Sequence, residues 1–171
     1  SIGVLAGIER QHGLTVRLLR VPGDFLYDGM PFALAWPADR AGDEAIGELR
    51  QSYALGLLRT PVQDLMFLVD ELVDIAARAL STGVNDPYSA ITCIDWLTAG
   101  AARMAGRRPP SPYRVDGNGE LRIIAPVISF RDHVERGFGR VRPYIARDVN
   151  TAVHGLGMLA TLTCQCRCEE Q

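Results

Sequence analysis

A chain of 171 residues, 47% hydrophobic and 22% charged, has the length and composition of one folded domain with a real core, and its net charge of -2 excludes a broad electrostatic attraction to nucleic acid or an anionic membrane surface. All 18 basic residues are Arg; without Lys, Schiff-base catalysis, a phosphate-loop ATPase and a biotin or lipoyl carrier are excluded, because Arg stays protonated and is a poor nucleophile. No apolar run reaches the roughly 18 residues of a membrane helix, and no signal-peptide pattern is present.

In chain order, GVLAGIERQHG reads as a short helix stopped by Gly13. Residues 14–36 follow as a β subregion. Leu14, Val16 and Leu18 alternate with Thr15 and Arg17 as in a half-buried strand, FLY is a short extended piece between turns, and PFALAW returns as a strand. A loop leads into a helix over 44–58, a second helix spans 62–80, and a third runs from Pro87 to about Gly106, so residues 44–106 are the central helices. YRV, a DGNG turn and ELRII form a hairpin near 113–125. Ser129 caps a helix through Ile145 and Asn150 caps a last one, giving C-terminal helices over 129–165. The fold class is α+β: about six helices as a core, with a small antiparallel β layer or half-barrel near the N-terminus. Residues 1–171 are expected to form a single domain. Opening at Ser1 as if in the middle of a domain, the chain reads as a fragment of something longer.

The second helix carries most of the polar candidates. Projected at about 100° per residue, Leu65, Leu68, Val69, Leu72, Ile75, Ala76 and their neighbours sweep an apolar arc of roughly 200°. So wide a face needs two neighbours, which makes this the central helix or one side of an interface. Asp64, Asp70, Glu71, Asp74 and Arg78 share the rest with Phe67. Asp74 and Arg78 attract at i,i+4, worth about half a kcal/mol if exposed. Asp70 and Asp74, also four apart, are the nearest thing to a cation site. A hard cation needs further oxygen ligands, so no metal and no cofactor are expected.

ALSTGVNDPYSAI then joins two helices. Gly83 is the expected left-handed residue after the helix, Asp86 caps the next one and Pro87 fits its first turn. Asn85 is required by neither cap. Cys93 reads as core. CQCRC (Cys164, Cys166 and Cys168) lacks zinc-ligand spacing and reads as a frayed tail of free thiols. His12, His133 and His154 are scattered, with none at metal or triad spacing.

Two resemblances stand on particular residues. VPGDFLYDGMPFALAW resembles the hairpin of lipoyl and biotinyl hammerhead domains, which without the modified Lys implies strand geometry alone. A broader one rests on the PGD…G-x-P strand pair, Gly56, Arg59-Thr60, Gln63-Asp64 and Leu72-Val73-Asp74-Ile75-Ala76. It continues through Arg78-Ala79-Leu80-Ser81, Asn85-Asp86-Pro87 and Asp95-Trp96-Leu97. Over residues 16–145 this pattern resembles bacterial predicted membrane proteins grouped as domain of unknown function 2254, departing from them at Thr82, where Pro is usual. The resemblance implies a membrane-anchored full-length protein of which this chain is the soluble portion, with no established activity. It also raises Arg59, Asp64, Asp74, Arg78, Asn85 and Asp86 to candidates for one polar cluster. A helix of eighteen residues spans about 27 Å, so these six meet only as two clusters or through an antiparallel partner. The second is favoured, and with it a homo-oligomer.

The leading functional expectation is a non-catalytic assembly or ligand-sensing module, held to the membrane by segments outside this chain and facing the cytoplasm, with no nucleic-acid partner and room for a small ligand. The alternative is a metal- or carboxylate-dependent hydrolase using Asp64, Asp70, Asp74 and Asn85. A third is an anion site built from Arg59 or Arg78 and the helix start at Pro87.

Overall fold

The computed structural model describes residues 7–8, 11–62 and 64–168, with side chains described through 164. Most of the expected first helix lies outside these, as does Gln63; its stop, Gly13, takes a left-handed φ of 62°. The chain divides into two compact units, Ser1–Gln63 with Pro110–Val127, and Asp64–Pro109 with Ile128–Gln171.

The first unit is a four-stranded sheet backed by a helix. Strands β1 (Thr15–Leu18) and β2 (Ala33–Trp36) pair antiparallel, with Val16 opposite Ala35. Helix α1 (Asp43–Gln51) follows. Strands β3 (Tyr113–Val115) and β4 (Leu121–Ile124) form the expected hairpin. Its turn is built by Asp116, whose Oδ1 accepts the N–H groups of Asn118 and Glu120 while Oδ2 accepts from Arg122 Nε at 2.9 Å. The two hairpins are one sheet in the order β2-β1-β4-β3, because β1 pairs parallel with β4 through Val16 and Ile123. Period-two alternation puts Val16 and Ile123 inward, where with Leu14 and Ala125 they bury against Ala45 and Leu49 of α1. FLY adds no strand. Helix α1 stops at Gln51 rather than 58: the Ser52 hydroxyl bonds back to Leu49 O at 2.7 Å, and Leu55, Leu57 and Leu58 lie exposed beyond it.

The second unit is helical. Helix α2 (Leu65–Ala79) and helix α3 (Pro87–Ala105) form an αα-hairpin. Helix α4 (Phe130–Val134) starts at a capping box in which the Ser129 hydroxyl accepts from Asp132 N–H and the Asp132 carboxylate accepts from Ser129 N–H. A π-helical turn (Glu135–Gly139) and helix α5 (Arg140–Ile145) continue its path. Helix α6 (Val149–Cys168) closes the unit. It starts ahead of the expected Asn150 cap because Asp148 accepts the Thr151 N–H at 2.7 Å. The α+β class and the helical core are as expected.

Helix α2 packs on α3 along one flank and on the π-helical turn and α5 along another, the two neighbours its wide face needs. Helix α3 packs on α2 along one flank and on α6 along another, burying Ala90, Cys93, Ile94, Leu97, Thr98 and Ala101. Helix α2 buries Met66, Val69, Val73, Ala76 and Ala79 but leaves Leu65, Leu68 and Ile75 exposed. Its broad apolar arc is thus half covered. Among the described residues, no helix is long and apolar enough to cross a membrane.

Candidate functional site

The polar residues of α2 and its hairpin are placed by local physics, one at a time. Asp64 precedes α2 with an extended backbone and turns its Oδ1 onto the Met66 and Phe67 N–H groups, both at 3.0 Å. It is buried; it satisfies the Met66 amide and shares that of Phe67, which also donates to Asp64 O at 3.2 Å.

Two turns further on, Asp70 meets a pair of arginines from the segment that follows α4. Arg136 Nε and Nη2 donate to Oδ1 and Oδ2 at 2.7 and 2.6 Å, a two-pronged pair, and Arg140 Nη1 adds a third bond at 3.2 Å. The Asp70 side chain is 17% exposed. This is the most enclosed ion group in the helical unit among the described pairs. It also lies across the π-helical turn, an irregularity frequent at functional positions. Asp74, one turn on, faces water: its 2.6 Å bond to Arg78 joins side chains 63% and 67% exposed. Asp70 and Asp74 thus point to different partners.

The hairpin after α2 gives Asn85 a backbone role. The left-handed residue is Asn85 itself, at φ 50°, and not Gly83. Asn tolerates that region better than other residues bearing a Cβ. With the chain so turned, Asn85 N–H donates to Ser81 O at 2.9 Å and Asp86 N–H to Ala79 O at 2.7 Å. Asp86 then caps α3, accepting the Ser89 hydroxyl and the Ser89 N–H, and those two bonds hold its carboxyl below the usual carboxylate range. The first amides of α3 already have an anion in their own sequence.

Asp64, the Asp74–Arg78 pair and the Asn85–Asp86 corner therefore occupy three successive places along a helix of about 22 Å, and a single copy does not bring them together. Arg59 belongs to the other unit, half-buried near its end. Among the described residues, no group of three or more His, Cys, Asp or Glu converges as a cation site.

Three further pairings join residues far apart in the sequence. Arg136 and Arg140 lie four apart and present one basic face to Asp70; the signal was their spacing, and what was missing was the partner helix. His154 Nε2 donates to Asp95 Oδ1 at 2.6 Å, tying α6 to α3. The buried His133 donates through Nε2 to Leu97 O at 3.1 Å.

The family model described as "Predicted membrane protein (DUF2254)" matches residues 3–161. An uncharacterized protein of Mycobacterium bovis and one of Mycobacterium tuberculosis strain H37Rv are each 31% identical over 170 residues, covering 97% of this chain and 32% of the relative. Another, from M. tuberculosis strain CDC 1551, is 31% identical over 156 residues, 89% of this chain and 30% of its own. The chain spans about a third of the length of these curated relatives. No solved structure matches.

Proposed function

The chain belongs to the family of predicted membrane proteins described as domain of unknown function 2254, and from that premise we propose that it is a non-catalytic assembly module, self-associating within a longer membrane-anchored protein. The observation that carries the reading is the apolar surface its helices leave uncovered: Leu65, Leu68 and Ile75 on α2, Tyr88 and Trp96 on α3, and Val149, Val153 and Leu156 on α6. Scattered exposed apolar residues are ordinary; rows of them along three helices of one unit mark an interaction surface. The polar residues offer catalysis less: Asp64 caps a helix, Asp70 is engaged by two arginines and Asp86 caps the next helix. The reading also places the unit on the cytoplasmic side, where the free thiols Cys93 and Cys164 stay reduced.

Sedimentation equilibrium of the chain across a range of micromolar concentrations tests the assembly reading. Reversible association is expected, and a monomer throughout rejects it. A thermal-shift screen with Mg²⁺, Mn²⁺, Ca²⁺ and Zn²⁺ addresses the hydrolase alternative; stabilisation lost in Asp74→Ala would favour that reading instead. In whole cells, labelling of the exposed Cys164 by an impermeant maleimide only after lysis is the outcome expected for the cytoplasmic side.

A further inference from the structure

The chain holds three asparagines, and each is followed by a different residue: Asp86 after Asn85, Gly119 after Asn118 and Thr151 after Asn150. That neighbour governs how long the side-chain amide lasts. Its backbone nitrogen closes a five-membered ring on the carboxamide wherever it is free to move, and a Cβ on the same residue stands in the way. Thr151 is buried, and its N–H is committed to Asp148 Oδ1 at 2.7 Å. The Asp86 N–H is committed to Ala79 O at 2.7 Å within the turn that joins α2 to α3. Asn85 and Asn150 are thereby protected.

Asn118 is different. It stands exposed at the tip of the β3–β4 turn, between Gly117 and Gly119. A Cβ built on either glycine would meet nothing within 4 Å, so no packed group blocks the ring from closing. Its carboxamide has no hydrogen-bond partner among the described residues. One contact opposes the reaction: the Gly119 N–H donates to Asp116 O at 3.0 Å, so the nitrogen is released when that bond opens. The two Asp–Gly pairs of the chain are poorer candidates. Asp116, before Gly117, is pinned by Arg122 and by the Asn118 and Glu120 N–H groups. Asp28, before Gly29, offers a carboxyl group, a weaker electrophile than a carboxamide.

We propose that Asn118–Gly119 is a site of spontaneous covalent modification, a deamidation in which water is the reagent. The Gly119 nitrogen gives its proton to solvent base and attacks Asn118 Cγ. The new N–C bond forms as the Cγ–Nδ2 bond breaks, and Nδ2 leaves as ammonia. Water then opens the succinimide: attack at Cγ gives aspartate, and attack at the backbone carbonyl gives isoaspartate, with the chain running through the former side chain. Nothing is oxidised or reduced. Either product adds one carboxylate, taking the formal net charge from -2 to -3, beside Asp116 and Glu120 of the same turn. The isoaspartyl link also inserts a carbon into a turn that the Asp116 N–H closes on Glu120 O at 2.9 Å. The modification therefore strikes the hairpin at the β3 edge of the sheet.

Incubation of the folded chain in mildly alkaline buffer tests it. The same chain unfolded in guanidinium chloride and a folded Asn118→Gln variant, whose side chain would need a larger ring, run beside it. Peptide mapping by mass spectrometry locates the new acid, and electron-transfer fragmentation separates isoaspartate from aspartate. The unfolded chain gives the intrinsic rate. Opening one ordinary hydrogen bond should slow the folded chain by about tenfold. Roughly half of it is then converted after about ten half-lives of the unfolded chain, with isoaspartate among the products, and Asn118→Gln shows no acid at that position. A folded chain intact at 118 at that time overturns the proposal. So does an equal gain of acidic species in Asn118→Gln, which would place the reaction elsewhere in the chain.

Discussion

Gly100 on α3 makes the space that His133 of α4 occupies. A Cβ at Gly100 would lie 2.9 Å from Cε1 and 3.2 Å from Nε2 of that imidazole, whose Nε2 is held 3.1 Å from Leu97 O. The ring is buried, so it cannot swing aside without giving up its hydrogen bond. Gly100→Ala sets an overpacking cost of about 1–3 kcal/mol against the roughly 1 kcal/mol by which Ala is the better helix former. The steric cost wins, and urea unfolding should show a net loss of about 1 kcal/mol. Adding His133→Ala should recover part of that cost; strict additivity of the two changes would show that they do not meet.

The left-handed Asn85 predicts a contrast between two substitutions. Asn85→Gly should leave stability within about 0.5 kcal/mol, since Gly adopts φ 50° without strain. Asn85→Val should cost about 1–2 kcal/mol from the clash of its Cβ with the backbone. Equal melting temperatures for the two would show that the side-chain amide, rather than the backbone, is what the position uses.

Asp70 and Asp74 lie one turn apart yet should behave differently. Asp70→Ala strips two arginines of a shared, largely enclosed partner and should cost about 1–3 kcal/mol. Asp74→Ala removes an exposed pair and should cost no more than about 0.5 kcal/mol. Arg136→Lys should fall between them, because Lys cannot reproduce the two-pronged geometry. Chemical denaturation of the three variants side by side settles the order.

Stability should fall in acid. Hydrogen bonds hold the carboxyls of Asp86, Asp116, Asp132 and Asp148 below their usual range, from Ser89, Arg122, Ser129 and Thr151 respectively as the largest causes. The native chain therefore binds fewer protons than the unfolded one as pH drops below about 4. The stabilisation is complete above that value and is lost as pH falls through the lowered native values. The urea midpoint should hold between pH 7 and 5 and drop by pH 3. Asp116→Asn should lower the neutral-pH midpoint and flatten its share of the acid slope, whereas a midpoint unchanged down to pH 3 contradicts the assignment.

Local signals carried the sequence reading a long way. Pro87 behind Asp86, Ser129 before Asp132 and the DGNG turn each specify their structure within four residues, and each element stands where those residues put it. Long-range relations were not legible. Nothing near Val16 announces Ile123 as its parallel neighbour. Nothing near Asp70 announces Arg136, and the wide apolar arc of α2 could not say which of its edges would be covered. Asn85 takes the left-handed place expected of Gly83: Gly is the commoner residue there, and the two sit close enough in sequence for either to make the turn.

The parallel pairing of β1 with β4 also bears on the order of events at the ribosome. Val16 leaves the exit tunnel long before Ile123, and everything from α1 to α3 is translated between them. Until β4 emerges, β1 has only β2 beside it and its other edge stays open, and a two-stranded ribbon alone is marginal in water. A translational pause before Ile123 has cleared the tunnel would lengthen that exposure, and the emergence of β4 would end it.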